Sequence, residues 1–270
     1  MSDTLRTAEP RLSEEETAAL AARLWDAEQR REPLAPLTES SVGFSTADAY
    51  PVQLAVTRLR QELGHRVIGK KIGLTSKAMQ DMAGVPEPDY GHLFDGMWID
   101  DGGSFRRADL IRPKVEPELA FVLSEDLRGW VTPAHVLAAT AFVTPALEIV
   151  DSRIAEWRIR WADTVADNGS SARFVLSERV FSPLGLDLRS ASVVFSRNGA
   201  VTGTAALSEV LGSPLRSVCW LARKLDEYGI GLRAGDVILA GSPCRAVDAE
   251  PGDEFVAEIS GMGRVSVTVE

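Results

Sequence analysis

The ten residues from Ala141 to Val150, Ala-Phe-Val-Thr-Pro-Ala-Leu-Glu-Ile-Val, are apolar almost throughout and hold a single acid, Glu148. They close the longest apolar stretch of the chain, Val136 to Val150, which Thr140, Thr144, Pro145 and Glu148 keep too short and too polar to span a bilayer. A run of this kind belongs in a largely buried strand. There Glu148 cannot stand as a bare charge: it must be protonated, paired with a cation or bound to a metal. Arg153 is the nearby candidate for an ion pair.

Around this run the chain breaks into short β-rich segments separated by Gly, Pro and Asp, beginning near Val67. Strands are expected over 115–123, 141–150, 173–176, 192–197, 236–240, 254–259 and 264–269, with Gly261-Met262-Gly263 joining the last two. One helix interrupts them, with Ser213 as N-cap, Pro214 at its first position, Leu215, Val218, Ala222 and Leu225 on one face and Gly229 as its stop. The first 65 or so residues read as helical. Ser13 and Glu16 form a capping-box pattern, and Leu12, Leu20, Leu24 and Trp25 supply an apolar stripe. A second helix ends near Leu63-Gly64 and either starts at Pro51 or is kinked by it. The expected architecture is α+β: a helical region over 1–66 and a mixed β-rich domain over 67–270.

Composition narrows the chemistry. The 270 residues carry 29 Lys and Arg against 39 Asp and Glu, a net charge of −10, which argues against nucleic acid or an anionic membrane as the main partner. Two cysteines without a CxxC pair and three widely spaced histidines give neither a disulfide framework nor a zinc site, so any metal must be held mainly by oxygen. The start, MSDTLRTAEPRLSEEE, has no apolar segment of the secretory kind, and the cytoplasm is the expected compartment. No GxGxxG after a first strand and no Walker loop is present, which speaks against dinucleotide and P-loop enzymes.

Oxygen ligands are available. In Pro113-Lys-Val-Glu-Pro-Glu-Leu-Ala-Phe-Val-Leu123, Glu116 and Glu118 point to the same side of a strand. Like charges so close repel unless water or a cation separates them. They read either as a solvated face on an edge strand blunted by Pro117, or, with Glu148, as a three-carboxylate site for Mg²⁺, Mn²⁺ or Ca²⁺. Gly69-Lys-Lys-Ile-Gly-Leu-Thr-Ser76 reads either as a strand end with a solvated lysine or as a close-approach loop offering N–H groups, hydroxyls and an ammonium to an anion. Pro88-Asp-Tyr-Gly91 looks like a turn, with Asp89 bonding its own backbone. Asp167-Asn-Gly-Ser-Ser171 reads first as a turn and second as a binding loop.

Taken together, the stretches KIGLTSKAMQ (71–80), PDYG (88–91), PKVEPELAFVL (113–123), PALEIVDSRI (145–154), DTVADNGSSARFVL (163–176) and LGSPLRSVCWLARKL (211–225) resemble the hydratase/decarboxylase branch of the fumarylacetoacetate hydrolase superfamily, over roughly residues 45–270. The 2-hydroxypenta-2,4-dienoate (2-oxopent-4-enoate) hydratases of aromatic meta-cleavage pathways are the members it is most similar to. The resemblance implies a mixed β-roll or sandwich with N-terminal helices and a homo-oligomer. It implies that Glu116, Glu118 and Glu148 ligate a divalent metal, Mg²⁺ or Mn²⁺, that Lys71 and Asp89 are catalytic, and that Leu74, Thr75, Ser76 and Ser170 bind substrate. The substrate so implied is a small 2-oxo or 2-hydroxydienoate acid. An acid in the PDYG position points to hydration, since decarboxylases of this branch often carry an apolar residue there. The segment Ala240-Gly-Ser-Pro-Cys-Arg-Ala-Val247 departs from the more Gly-rich form of hydratases. A 4-oxalocrotonate-type decarboxylase is the alternative within the branch. A non-catalytic partner subunit is the alternative outside it, disfavoured because all three glutamates and the lysine are present.

Overall fold

The computed structural model describes residues 10–76, 80 and 87–270. Residues 1–9 of the chain start and 77–79 of the KIGLTSKAMQ stretch lie outside the described residues.

Three helices lead: α1 (Glu14–Arg30), α2 (Leu37–Ser40) and α3 (Thr46–Glu62). Ser13 and Glu16 form the expected capping box on α1. Pro51 does not start α3: the helix begins at Thr46 behind a second capping box, Ser45 with Asp48, and Pro51 lies inside it. Leu20 and Leu24 of α1 pack with Val52 and Val56 of α3, and the same cluster takes in Ile154 and Ala166. The helices are thereby fastened to the segments that carry the site.

The β-rich part comprises β1 (Val67–Gly73), β2 (Asp89–Phe94), β3 (Trp98–Ile99), β4 (Ser104–Phe105), β5 (Lys114–Leu123), β6 (Thr140–Val150), β7 (Ser171–Leu176), β8 (Ser192–Arg197), β9 (Ala200–Ala206), β10 (Val237–Leu239), β11 (Val247–Asp248), β12 (Glu254–Ile259) and β13 (Gly263–Val269). Helices α4 (Pro133–Ala139), α5 (Trp161–Ala166) and α6 (Pro214–Asp226) interrupt it. All seven strands expected from the sequence form, and so does the helix behind Ser213. Among the described residues one sheet runs β2-β1-β10-β5-β6-β7-β3, with β11 also on β5, and a second runs β4-β13-β12-β8-β9.

Side-chain alternation divides the core. Val115, Leu147 and Ile149 of the large sheet meet Phe195, Phe255, Val265 and Val267 of the small one, the interior of a sandwich. Farther along that face, Leu119, Phe121 and Ile238 pack on Val218, Leu221 and Leu225 of α6. The other face curls inward, and Leu93, Ala120, Ala146, Phe174 and Leu239 fill one end of the roll.

The edge-strand reading of Glu116 and Glu118 is overturned. β5 lies inside the sheet, paired with β6 on one side and with β10 and β11 on the other. β10 reaches only Ala120–Val122 and β11 only Lys114–Val115, so Pro117 falls in the gap between them, where its missing N–H breaks no ladder on that side.

Candidate active site

The inward face of the roll gathers five ionisable side chains at its open end. Glu116 of β5 stands directly opposite Glu148 of β6, and Glu118, two residues along, shares their face. One oxygen from each of the three lies within 4.8 Å of the others. Lys71 comes from β1, and Asp89 stands opposite Gly73 where β2 begins. Asp89 is therefore a strand residue, not the turn residue its Pro-Asp-Tyr-Gly setting suggested. The close approach requires glycine at 73, because a Cβ there would lie 2.2 Å from Asp89 Oδ1.

The partners of these groups are specific. Lys71 Nζ lies 3.2 Å from Glu148 Oε2 and donates to the Gly169 carbonyl at 3.0 Å. Thr164 Oγ1 donates to Asp89 Oδ2 at 3.3 Å. The backbone N–H of Gly241 donates to Glu118 Oε2 at 2.6 Å, so the 240–247 segment, singled out as unusual, directly orients one of the glutamates. Glu148 is thus paired with Lys71 and not with Arg153. Arg153 turns to Asp167 instead, Nε to Oδ1 at 2.5 Å, and bonds the carbonyls of Asp151, Ser171 and Asp167.

That ion pair builds the floor of the site. Asp167 also accepts from Ser152 and Ser170, and Asn168 clamps the backbone of His92 through both its side-chain atoms. Asp167-Asn-Gly-Ser170 is accordingly a buried loop that aims the Gly169 carbonyl at Lys71. Leu74, Trp157, Asn168 and Ser170 all adopt left-handed φ at or beside the cavity, a concentration of backbone strain typical of functional sites.

Four carboxylates face one ammonium, and the electrostatics follow. Burial drives Glu116 up to about 7, against the pull of Lys71 and with a push from Glu148 and Asp89. Burial and the Glu148 charge hold Glu118 well above the usual carboxylate range. Burial raises Asp89 while Lys71 and Thr164 draw it back. Burial would lower Lys71, but Glu148, Asp89, Glu116 and Glu118 together keep it above its ordinary value and hence charged.

A divalent cation fits these residues. Glu118 Oε1 and Glu148 Oε1 are buried without a hydrogen-bond partner among the described residues, an arrangement that costs free energy unless something positive meets them. The donors are all hard oxygens, the set that Mg²⁺, Mn²⁺ and Ca²⁺ select. Beside them lies a cavity of about 90 Å³ bordered by Lys71, Asp89, Glu116, Leu74, Thr75 and Ser170, with Val150, Trp157 and Ile159 as its apolar wall. Ser76 is the one expected substrate-site residue outside this lining. Thr164 and Trp157 border it without having been given a role from the sequence, while Gly169 and Ser242 belong to the 167–171 and 240–247 segments that the sequence marks. Thr164 lies in the DTVADNGSSARFVL stretch, but nothing in its local spacing marks it.

Comparison with known proteins accords with this geometry. The family described as fumarylacetoacetate (FAA) hydrolase, C-terminal, matches residues 80–270. A 2-hydroxyhexa-2,4-dienoate hydratase of Comamonas testosteroni is 47% identical over 248 residues, covering 91% of this chain and 94% of the relative. A 2-keto-4-pentenoate hydratase of Paraburkholderia xenovorans (strain LB400) is 45% identical over 252 residues, with 93% of each covered. Among solved structures, 4-oxalocrotonate decarboxylase from Pseudomonas putida G7, complexed with magnesium and adipate, superposes with a TM-score of 0.94 at 36% identity, over 97% of this chain and 100% of that one.

Proposed function

The chain belongs to the fumarylacetoacetate hydrolase family, and on that premise we propose that it is a metal-dependent hydratase, a lyase that adds water to a short 2-hydroxydienoate or 2-oxo-4-enoate to give a 4-hydroxy-2-oxo acid. The observation that carries this reading is the cluster of half-buried Glu116 with buried Glu118 and Glu148, with Lys71 and Asp89 beside it, in a chain 47% identical to a protein named as a 2-hydroxyhexa-2,4-dienoate hydratase. The small cavity suits a few-carbon acid.

Glu116, Glu118 and Glu148 would hold the cation, Mg²⁺ or Mn²⁺. When bound, it supplies Lewis-acid chemistry toward the carboxylate and 2-oxygen of the substrate. Lys71 and Asp89 then have the proton work. Ketonisation of the dienol delivers a proton to C5 and removes one from the 2-hydroxyl. Hydration of the resulting enone places hydroxide at C4 and a proton at C3. Lys71 Nζ, kept charged, is the donor this site offers, and Asp89, whose Oδ1 has no hydrogen-bond partner among the described residues, is the acceptor. General acid–base work of this kind contributes typically ~10²–10⁴-fold. Leu74, Thr75 and Ser170 line the substrate space, while Val150, Trp157 and Ile159 limit the water beside it. We further propose that residues 67–270 form the catalytic domain and that the chain works as a homo-oligomer. No helix among the described residues is long and apolar enough to cross a membrane.

Decarboxylation is the second reading, favoured by the likeness to the Pseudomonas putida structure. Turnover in heavy-oxygen water separates the two: hydration places one solvent oxygen at C4 of the product, whereas decarboxylation releases CO₂ and adds none.

A further inference from the structure

A second cavity, of about 450 Å³, lies across the sheet from the site just described and shares no lining residue with it. Because neighbouring strand residues face opposite ways, Lys70 points away from Lys71 and into this cavity. Its cross-strand neighbour His92 lines it too. Lys70 is only 4% exposed and makes no direct ion pair or hydrogen bond among the described residues, though it feels the charges of Asp236 and Arg233. His92 is 3% exposed, and its Nδ1 has no hydrogen-bond partner. Arg58 of α3, and Arg128 and Arg233 from the loops beyond, complete a cationic rim against one acid, Asp236, which already accepts from the backbone N–H of Arg233. Arg128, an exposed residue, packs against Gly231, where any Cβ would meet its Nε at 2.6 Å. Leu54, Val67, Tyr228 and Ile230 add an apolar side.

Lys70 is the buried cation of this cavity, and Arg58, Arg128 and Arg233 are exposed cations at its mouth, so four positive charges face the single carboxylate of Asp236. A buried ammonium with only the Asp236 charge to offset it is costly, and an apolar side chain would fit the strand face shared with Ile72 and Ile238. Burial lowers Lys70 to about 8, which leaves it mostly charged at neutral pH and able to make charge-assisted hydrogen bonds.

We propose that this cavity binds a small multivalent oxyanion of the phosphate class, with Lys70 as its buried contact and Arg128 and Arg233 as its rim. The inference does not depend on the reaction assigned to the other cavity. Calorimetric titration of inorganic phosphate into the magnesium-loaded protein at constant ionic strength tests it. The expected result is one saturable phosphate per chain, weakened tenfold or more by Lys70→Met and by Arg128→Gln, and unchanged by Glu148→Gln. If Lys70→Met does not fold, Arg128→Gln decides. No saturable binding, or binding that neither variant weakens, overturns the proposal. So does binding lost in Glu148→Gln and kept in Arg128→Gln, which would put the anion in the carboxylate site. A change of oligomeric state in Arg128→Gln without phosphate binding by the parent also overturns it, in favour of a second copy of the chain filling the cavity.

Discussion

Lys71 Nζ lies 3.2 Å from Glu148 Oε2, with both side chains almost fully buried and 77 residues apart in the chain. This contact joins the proton-transfer half of the proposed site to its metal-binding half. It also makes the two halves separable by mutation.

Glu148→Gln removes one proposed charged ligand and leaves Lys71 without the carboxylate it pairs with. Divalent-cation affinity should fall ~10-fold to 100-fold or more, and turnover with it. Manganese titration monitored by electron paramagnetic resonance, alongside the rate, checks both. Retention of cation binding and rate would remove Glu148 from the ligand set.

Lys71→Met should act the opposite way on binding. It deletes a positive charge beside the carboxylates, so cation affinity should hold or rise while kcat falls ~10²–10⁴-fold. Asp89→Asn should show the same split, with binding kept and kcat lost. A variant that binds the cation and turns over normally would show that its residue moves no essential proton.

Gly73→Ala tests geometry without touching an ionisable group. The new Cβ, built 2.2 Å from Asp89 Oδ1, must push that carboxylate aside. Misplacement of about 1 Å is worth ~10²-fold in rate. The circular dichroism spectrum should be unchanged, and wild-type kcat in a folded variant would contradict the assigned role of Asp89.

Lys70 gives a pH-dependent prediction for stability. Its folded value of about 8 lies below the ordinary 10.5, so the folded state gives up the proton first. Between about pH 8 and 10.5 the unfolded chain holds more protons, and stability therefore rises with pH through that window. Below about 8 the charged lysine costs its full amount. Without phosphate, Lys70→Met should melt above the wild type at pH 7, and the difference should shrink as pH rises through the window. A difference that is constant from pH 7 to 10.5 would contradict the burial of an unpaired ammonium.

Arg153→Met should be the most destabilising of these changes. It leaves Asp167 buried and uncompensated, with burial already raising that carboxyl to about 6. Breaking a buried pair in this way costs about 3–5 kcal/mol, readable from urea midpoints. A loss under 1 kcal/mol would mean that the 167–170 loop is held by other contacts.

The legible and the illegible parts of this fold divide along a physical line. The long strands β5 and β6 announce themselves because a buried face needs consecutive or alternating apolar residues, and the helix behind Ser213 because caps are local chemistry. β2 reads as a turn because Pro88 and Gly91 mark turns, yet Gly91 is there to let the Asn168 carbonyl approach, 2.2 Å from where a Cβ would sit. β9 is largely exposed and carries no buried pattern to find, and β3, β4 and β11 are two residues each. The glutamate cluster is visible because a lone acid in an apolar strand demands an explanation. Its partner is not: Arg153 is near in sequence, but the strand geometry brings Lys71 to Glu148 and gives Arg153 to Asp167.

The central claim is hydration of a dienoate at a three-carboxylate divalent-metal site, and a paired assay addresses it most directly. The ultraviolet absorbance of 2-hydroxypenta-2,4-dienoate is followed with magnesium and with chelator, while CO₂ release from a 2-oxo dicarboxylate is measured in parallel. The account predicts loss of the conjugated absorbance only with the metal, formation of the 4-hydroxy-2-oxo acid, and no comparable CO₂. An undiminished rate under chelation, or CO₂ release without hydroxy acid, would contradict it.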